Sequence, residues 1–321
     1  MWGFDMELTK NNILNSFDFS NYKNYFHMTT DQIASKARNI KVLYDSVYFT
    51  ITDENNKMGL FKVRETKSTT ECLQLLPYDR RRIVKIFSSD ELYIAETENK
   101  RTGKRGIFVN EQFFLEEEWD EIVKDKRLRF FTRNGSLWGC KDITWSNYPI
   151  PAMYDEINYQ AHSFHNYDGK IERIPFVPFL ETYNITRNNK KGAICYFSKR
   201  GIFGIFTVPT IFEEAYLWNC GIADEKPYIF FKVKTEEGYN FFEATENRLL
   251  SDDFFDSITD VDISSTIDAN NISMIGRSNL LSNSFYGVKN GISYMISDGT
   301  SYKINNESKV LSKRIGSNQF M

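Results

Sequence analysis

Residues Tyr154-Asp155-Glu156-Ile157 set an aromatic ring, two carboxylates and an aliphatic side chain in consecutive positions, and that order of chemistries returns along most of the chain. It reads Tyr44-Asp45-Ser46-Val47, Trp119-Asp120-Glu121-Ile122, Phe212-Glu213-Glu214-Ala215 and Phe255-Asp256-Ser257-Ile258, with a looser copy at Tyr78-Asp79-Arg80-Arg81. Apart from one longer interval after Tyr154, the aromatic positions lie 34 to 43 residues apart. Such a period marks a repeat architecture, in which each unit is one supersecondary element that cannot bury its apolar face alone. The sequence therefore predicts an all-β fold of about six units of 35–43 residues.

A second phrase alternates with the first: a basic or bulky pair, a glycine, then a short apolar run. The copies are Lys57-Met58-Gly59-Leu60-Phe61, Lys104-Arg105-Gly106-Ile107-Phe108, Leu137-Trp138-Gly139-Cys140, Gly201-Ile202-Phe203-Gly204-Ile205-Phe206 and Gly238-Tyr239-Asn240-Phe241-Phe242, with Phe285-Tyr286-Gly287-Val288-Lys289 as a last one. Glycine weakens a strand unless it permits a bulge, a bend or a close backbone approach, so its return in each unit predicts such a geometric job. The acids need another explanation, since positions i and i+3 fall on opposite faces of a plain strand. They are predicted to sit in turns or bulges leading into strands, bonded to nearby backbone.

This alternation, with a proline upstream of the acid phrase, resembles the WG-repeat (KWG-like) proteins of bacteria. Leu137-Trp138-Gly139 followed by Ile150-Pro151 and Tyr154-Asp155-Glu156-Ile157 carries the resemblance, as do Lys57-Met58-Gly59 with Leu76-Pro77-Tyr78-Asp79 and Val208-Pro209 before Phe212-Glu213. It spans roughly residues 41–290; Met58, Arg105 and Phe203 stand where other units would carry the tryptophan. The resemblance implies a β-rich array serving as an interaction module or accessory domain, without a shared catalytic centre.

Composition agrees. Phe (27) and Tyr (18) are abundant, and the apolar runs are short and bounded by Asn, Asp, Gly and Lys, which favours strands and turns. Only Thr30-Asp31-Gln32-Ile33-Ala34-Ser35-Lys36-Ala37-Arg38 reads as helical, inside a short mixed cap over residues 1–40. Residues 41–321 form the β-repeat domain. Its period suits a β-propeller, favoured here, or an open β-solenoid. The 58-residue interval after Tyr154 predicts an insertion at about 158–189 that carries binding or is a plain loop. The segment 259–271 reads as a polar loop.

Little chemistry stands out. His162 and His165 have a metal-compatible spacing, but no Cys, Asp or Glu stands at a companion position, so no metal, cofactor or catalytic residue is assigned. The acids of the repeat are structural by their recurrence, since an active site does not repeat. No enzyme is expected. Four widely spaced cysteines suit buried reduced thiols, and with no apolar run of span length and no leader pattern the expected location is cytoplasmic, off the membrane. A net charge of −3 does not favour nucleic acid. Local basic clusters exist at Arg80, Arg81 and Arg82 with Lys85, at Lys100, Arg101, Lys104 and Arg105, and at Lys124, Lys126, Arg127 and Arg129. Tyr78, Phe87 and Phe108 interleave with them as stacking residues would, although solvated strand ends account for the same charges. The candidate interaction residues are Arg80, Arg81, Arg82, Trp145, Tyr148, His162 and His165. The expected function is a non-catalytic scaffold binding another protein stoichiometrically, as an accessory subunit of a bacterial or phage assembly. The alternatives are an immunity or inhibitor protein that covers a toxin, and a nucleic-acid-binding subunit.

Overall fold

The computed structural model describes residues 13–22, 28–67, 69–77, 81–87, 89, 91–163, 179–199, 202–223, 226–260, 284–297 and 300–303. Most of the described chain is strand, arranged as six antiparallel sheets of four strands, none closed on itself. Sheet 1 holds β1 (Arg38–Leu43), β2 (Ser46–Thr52), β3 (Met58–Glu65) and β4 (Thr70–Leu76). Sheet 2 holds β5 (Arg81–Phe87), β6 (Ile94–Asn99), β7 (Arg105–Val109) and β8 (Gln112–Trp119). In sheet 3 are β9 (Glu121–Lys124), β10 (Arg129–Asn134), β11 (Leu137–Asp142) and β12 (Ile150–Tyr154). Sheet 4 has β13 (Glu156–Ser163), β14 (Phe179–Arg187), β15 (Lys190–Lys199) and β16 (Ile202–Phe212). Sheet 5 has β17 (Glu214–Ala223), β18 (Lys226–Thr235), β19 (Gly238–Glu243) and β20 (Arg248–Leu249), and sheet 6 has β21 (Ser257–Asp260), β22 (Ser284–Lys289), β23 (Ile292–Ser297) and β24 (Thr300–Lys303). Every sheet is a meander, each strand pairing with the next in sequence. The chain divides into two compact units, 1–152 and 153–321.

The acid phrase marks the step from the fourth strand of one sheet to the first of the next. Its backbone and side chain act as a staple there. The N–H groups of Asp120, Asp155 and Asp256 donate to the carbonyls of Arg133, Thr186 and Val288, at 2.9, 2.8 and 2.8 Å. Their carboxylates accept the N–H of Gly135, Asn188 and Asn290, at 2.7, 2.6 and 2.8 Å. Each staple thereby joins a sheet's entry to the turn between its second and third strands. Those turn residues lie in the left-handed region (Gly135 φ 60°, Asn188 φ 51°, Asn290 φ 52°), which Gly and Asn tolerate best. In sheet 5 Glu213 makes the same backbone bond, to Lys234 O at 2.8 Å, while Thr235 Oγ1 accepts the turn N–H of Glu237 instead. The expectation that the acids bond backbone at strand entries is met by the carboxylates of Asp120, Asp155 and Asp256, not of Glu213, and their partners lie 15 to 34 residues away rather than nearby in sequence.

One copy of the phrase is a coincidence of composition. Tyr44-Asp45 forms the two-residue turn between β1 and β2, inside sheet 1. Tyr44 has φ 55° and is 96% exposed, whereas Phe212 and Phe255 are buried. Of the copy at 78–81, only Arg81 lies within the described residues.

The recurring glycine sits on the third strand where the fourth closes in. A Cβ on Gly106 would stand 2.7 Å from Leu115 O, and one on Gly139 2.7 Å from Ile150 O. The β7–β8 register shifts on either side of Ile107, and the β15–β16 register shifts between Lys191 and Ala193, so Gly106 and Gly192 lie at bulges. In sheet 4 the working glycine is Gly192, against Val208 O, rather than Gly201 or Gly204; Gly204 is in β16 and Gly201 is outside the described residues. Gly287 likewise lies on a second strand, β22. Pro151 and Pro209 fall on fourth strands, which are sheet edges where a missing N–H breaks no ladder.

Apolar side chains of successive sheets interdigitate within each unit. Leu43, Tyr48, Leu60 and Leu76 of sheet 1 cluster with Ile83, Tyr93, Ala95 and Phe108. Sheets 2 and 3 share Ile94, Ile107, Leu115, Ile122 and Phe130; in the second unit, Phe197, Val208 and Phe212 meet Ala215, Phe231 and Phe242. The opposite face of sheet 1 is closed by the cap: Leu14, Phe17, Phe19, Ile33 and Ala34 cover Val47, Phe49, Ile51, Phe61 and Val63. The predicted helix is α1 (Thr30–Lys36), opened by a capping box between Thr29 and Gln32 and burying Ile33 and Ala34. Residues 38–40 of the expected cap belong to β1. Of the range 158–189, residues 158–163 and 179–187 are strand, in β13 and β14, and residues 164–178 lie outside the described set. Of the expected polar loop, 259 and 260 are in β21 and the rest is outside that set.

Candidate interaction surface

The structure places the candidate residues on three different sheets. Arg81 and Arg82 begin β5, Trp145 and Tyr148 occupy the connection between β11 and β12, and His162 pairs with Leu180 in sheet 4. Arg80 and His165 lie outside the described residues. Tyr148 is exposed and its N–H donates to Trp145 O at 2.8 Å, making a tight turn. The two described arginines are already engaged. Arg81 bonds Glu117 at 3.0 Å with its guanidinium 4.9 Å from the Phe113 ring centre, and Arg82 bonds Glu98 at 2.8 Å. Lys104 pairs with Asp120 at 2.6 Å, Arg105 with Glu96 at 2.7 Å, and Arg129 with Asp125. Much of what reads as basic cluster is thus neutralised locally.

What the strand assignment adds is a separation of charge in the amino-terminal unit. Its first strands carry Arg38 and Lys41 in β1, Arg81, Arg82 and Lys85 in β5, and Lys124 in β9, against the single acid Glu121. Its fourth strands carry Glu71 in β4 and Glu116, Glu117 and Glu118 in β8, with no cation. First and fourth strands are the two edges of each sheet. By residue type one set of edges is therefore basic and the other acidic, although Arg81 of β5 and Glu117 of β8 neutralise each other and Glu71 pairs with Arg64.

On the basic edges, Lys85 and Lys124 converge. Their ammonium groups lie 5.1 and 5.4 Å from the centre of the same ring, Phe87, although the two lysines belong to different sheets. Lys124 Nζ donates to Asp125 O at 2.8 Å, and Lys41 Nζ to Leu92 O at 2.9 Å. Neither Lys85 nor Lys124 has a carboxylate partner among the described residues. Val84 and Val123, next to these lysines in sequence, are 36% and 46% exposed, and Val42, next to Lys41, is 48% exposed. Val84 is thrown outward by a bulge, since Ile83 pairs with Thr97 and Lys85 with Glu96. The tripeptides Ile83-Val84-Lys85 and Ile122-Val123-Lys124 are identical, a signal present in the sequence outside both recurring phrases.

Between sheets 1 and 2 the chain buries polar groups. Lys62 pairs with Glu111, Tyr48 stacks on Tyr93 with centroids 5.5 Å apart, and burial, reinforced by Glu111, pushes the Tyr48 hydroxyl up to about 12. These groups fill an interface between sheets and present no reacting pair. Burial likewise pushes the Cys72, Cys195 and Cys220 thiols up to about 12. No group of three or more metal-ligating side chains occurs among the described residues, and no described helix is long and apolar enough to cross a membrane. No family model matches the chain, and no curated protein matches it in sequence.

Proposed function

We propose that the protein is a non-catalytic scaffold that binds another protein in a stoichiometric complex, as an accessory subunit of a larger bacterial or phage assembly in the cytoplasm. The observation that carries this reading is the separation of basic first-strand edges from acidic fourth-strand edges, with exposed valines among the cations. Charge sorted this way steers and orients a partner, and apolar side chains in its midst reward contact. The recurrent acids are engaged in staples and ion pairs, which supports a structural use for them. The resemblance to WG-repeat proteins points the same way. For the array itself we keep the β-propeller ahead of an open β-solenoid, on the repeat period and the four-stranded meanders.

Affinity purification from the source cells, split into nuclease-treated and untreated halves, tests the reading. One stoichiometric protein partner that survives nuclease is the expected result, and its identity separates assembly subunit from toxin inhibitor. Recovery of nucleic acid alone, or of no partner, sinks it.

A further inference from the structure

We propose that the first-strand edges of the amino-terminal unit dock an extended acidic segment of the partner protein. Its carboxylates seat on Lys85 and Lys124, and its apolar side chains lie on Val84 and Val123. This rests on the scaffold reading above and names the chemistry of the partner.

Three observations carry it. First, two ammonium groups from separate sheets share the Phe87 ring with no described carboxylate between them, so each adds to the other's positive field. Ring contact holds both lysines in place, which lowers the entropy lost when an anion arrives. Secondly, Val84 and Val123 follow the buried Ile83 and Ile122 at matching positions of consecutive sheets and stay exposed. An alternation of cation and aliphatic group fits a chain that alternates carboxylates with aliphatic side chains. Thirdly, Glu116 and Glu118 add negative charge to the β8 edge beyond the Glu117 that Arg81 neutralises, so a negative segment is disfavoured there.

A nucleic acid strand offers anions too, but the surface suits it less. Stacking needs open aromatic faces. Here the Phe87 ring is already engaged by two lysines, Phe108 is buried, and aliphatic valines occupy the exposed positions.

The test uses the full chain and a fluorescein-labelled peptide of alternating Glu and Val, followed by anisotropy. Binding is expected to weaken as salt rises, through screening of exposed charges. The Lys85→Glu/Lys124→Glu double variant should weaken it by about tenfold or more, the scale of two lost charge contacts. Val84→Thr/Val123→Thr should weaken it by roughly threefold through lost apolar area. Lys57→Glu, the same substitution at one lysine in a turn away from the edges, should leave binding unchanged. Circular dichroism confirms that each variant folds. Absence of peptide binding, an equal loss in Lys57→Glu, or tighter binding of an oligothymidylate of equal length overturns the proposal. If the partner recovered from cells binds Lys85→Glu/Lys124→Glu as tightly as the parent, this surface falls while the scaffold reading stands.

Discussion

The Asp155 carboxylate accepts the backbone N–H of Asn188 at 2.6 Å, tying the entry of sheet 4 to a turn 33 residues further along. Arg187 adds an ion pair to the same carboxylate at 3.5 Å. Replacing Asp155 by Ala strands the turn N–H and should cost about 1–2 kcal/mol, the range of lost capping bonds. Asn keeps an acceptor and should recover most of it. Urea unfolding of both variants, with hydrogen exchange at Asn188, checks this; equal losses in the two would refute the staple.

Two glycines of one sheet should respond differently to alanine. At Gly106 the new Cβ meets Leu115 O at 2.7 Å, so backbone must move, and the expected cost is about 1–3 kcal/mol. Gly103 has open space around it but φ 70°, so its cost is a conformational one of about 1 kcal/mol. A smaller loss at Gly106 than at Gly103 would contradict the close approach of β8.

Acid should loosen the Asp120 staple. The Asp120 carboxyl is held below its ordinary 3.8, first by the Lys104 ammonium and then by the Gly135 N–H. A carboxyl more acidic in the folded than in the unfolded state stabilises the fold above that ordinary value. The contribution is lost as pH falls through the lower, folded one. Stability should therefore decline on the acid side below about pH 4, and Asp120→Asn should flatten that decline. An unchanged acid limb in the variant would remove Asp120 from the account.

Cys72, Cys195 and Cys220 should be inert in the native protein. With thiols pushed up to about 12, the thiolate fraction at pH 8 is about one part in ten thousand, and the thiolate is the reacting species. Ellman's reagent should react slowly with the native chain and at once in urea. Rapid native labelling of any of the three, mapped by mass spectrometry, would show that its surroundings open.

The β-repeat was legible because its jobs are done by backbone. A staple needs a short acid at the sheet entry, and a tight third strand needs a glycine, so both recur as letters. Tyr44-Asp45 misled because a two-residue turn also favours an acid beside a left-handed residue. Gly192 was missed in favour of Gly201 because long strands in sheet 4 displaced the phrase from its expected spacing. The basic edges were half legible: Lys85 and Lys124 stood in the basic clusters and in identical Ile-Val-Lys tripeptides, but their place on first strands did not show. Whether a valine beside a lysine is exposed depends on a bulge at Val84 and on which strand forms the edge, and neither leaves a trace in composition.

The cap over sheet 1 has a consequence for synthesis. Leu14, Phe17, Phe19, Ile33 and Ala34 precede β2 and β3 in sequence, so a ribosome releases the lid before the surface it covers. Phe49 and Phe61 find their cover as they emerge, and sheets 2 and 3 each meet a neighbour already made. Vectorial folding from the amino terminus therefore leaves few greasy faces waiting for distant chain, the state in which nascent β proteins aggregate.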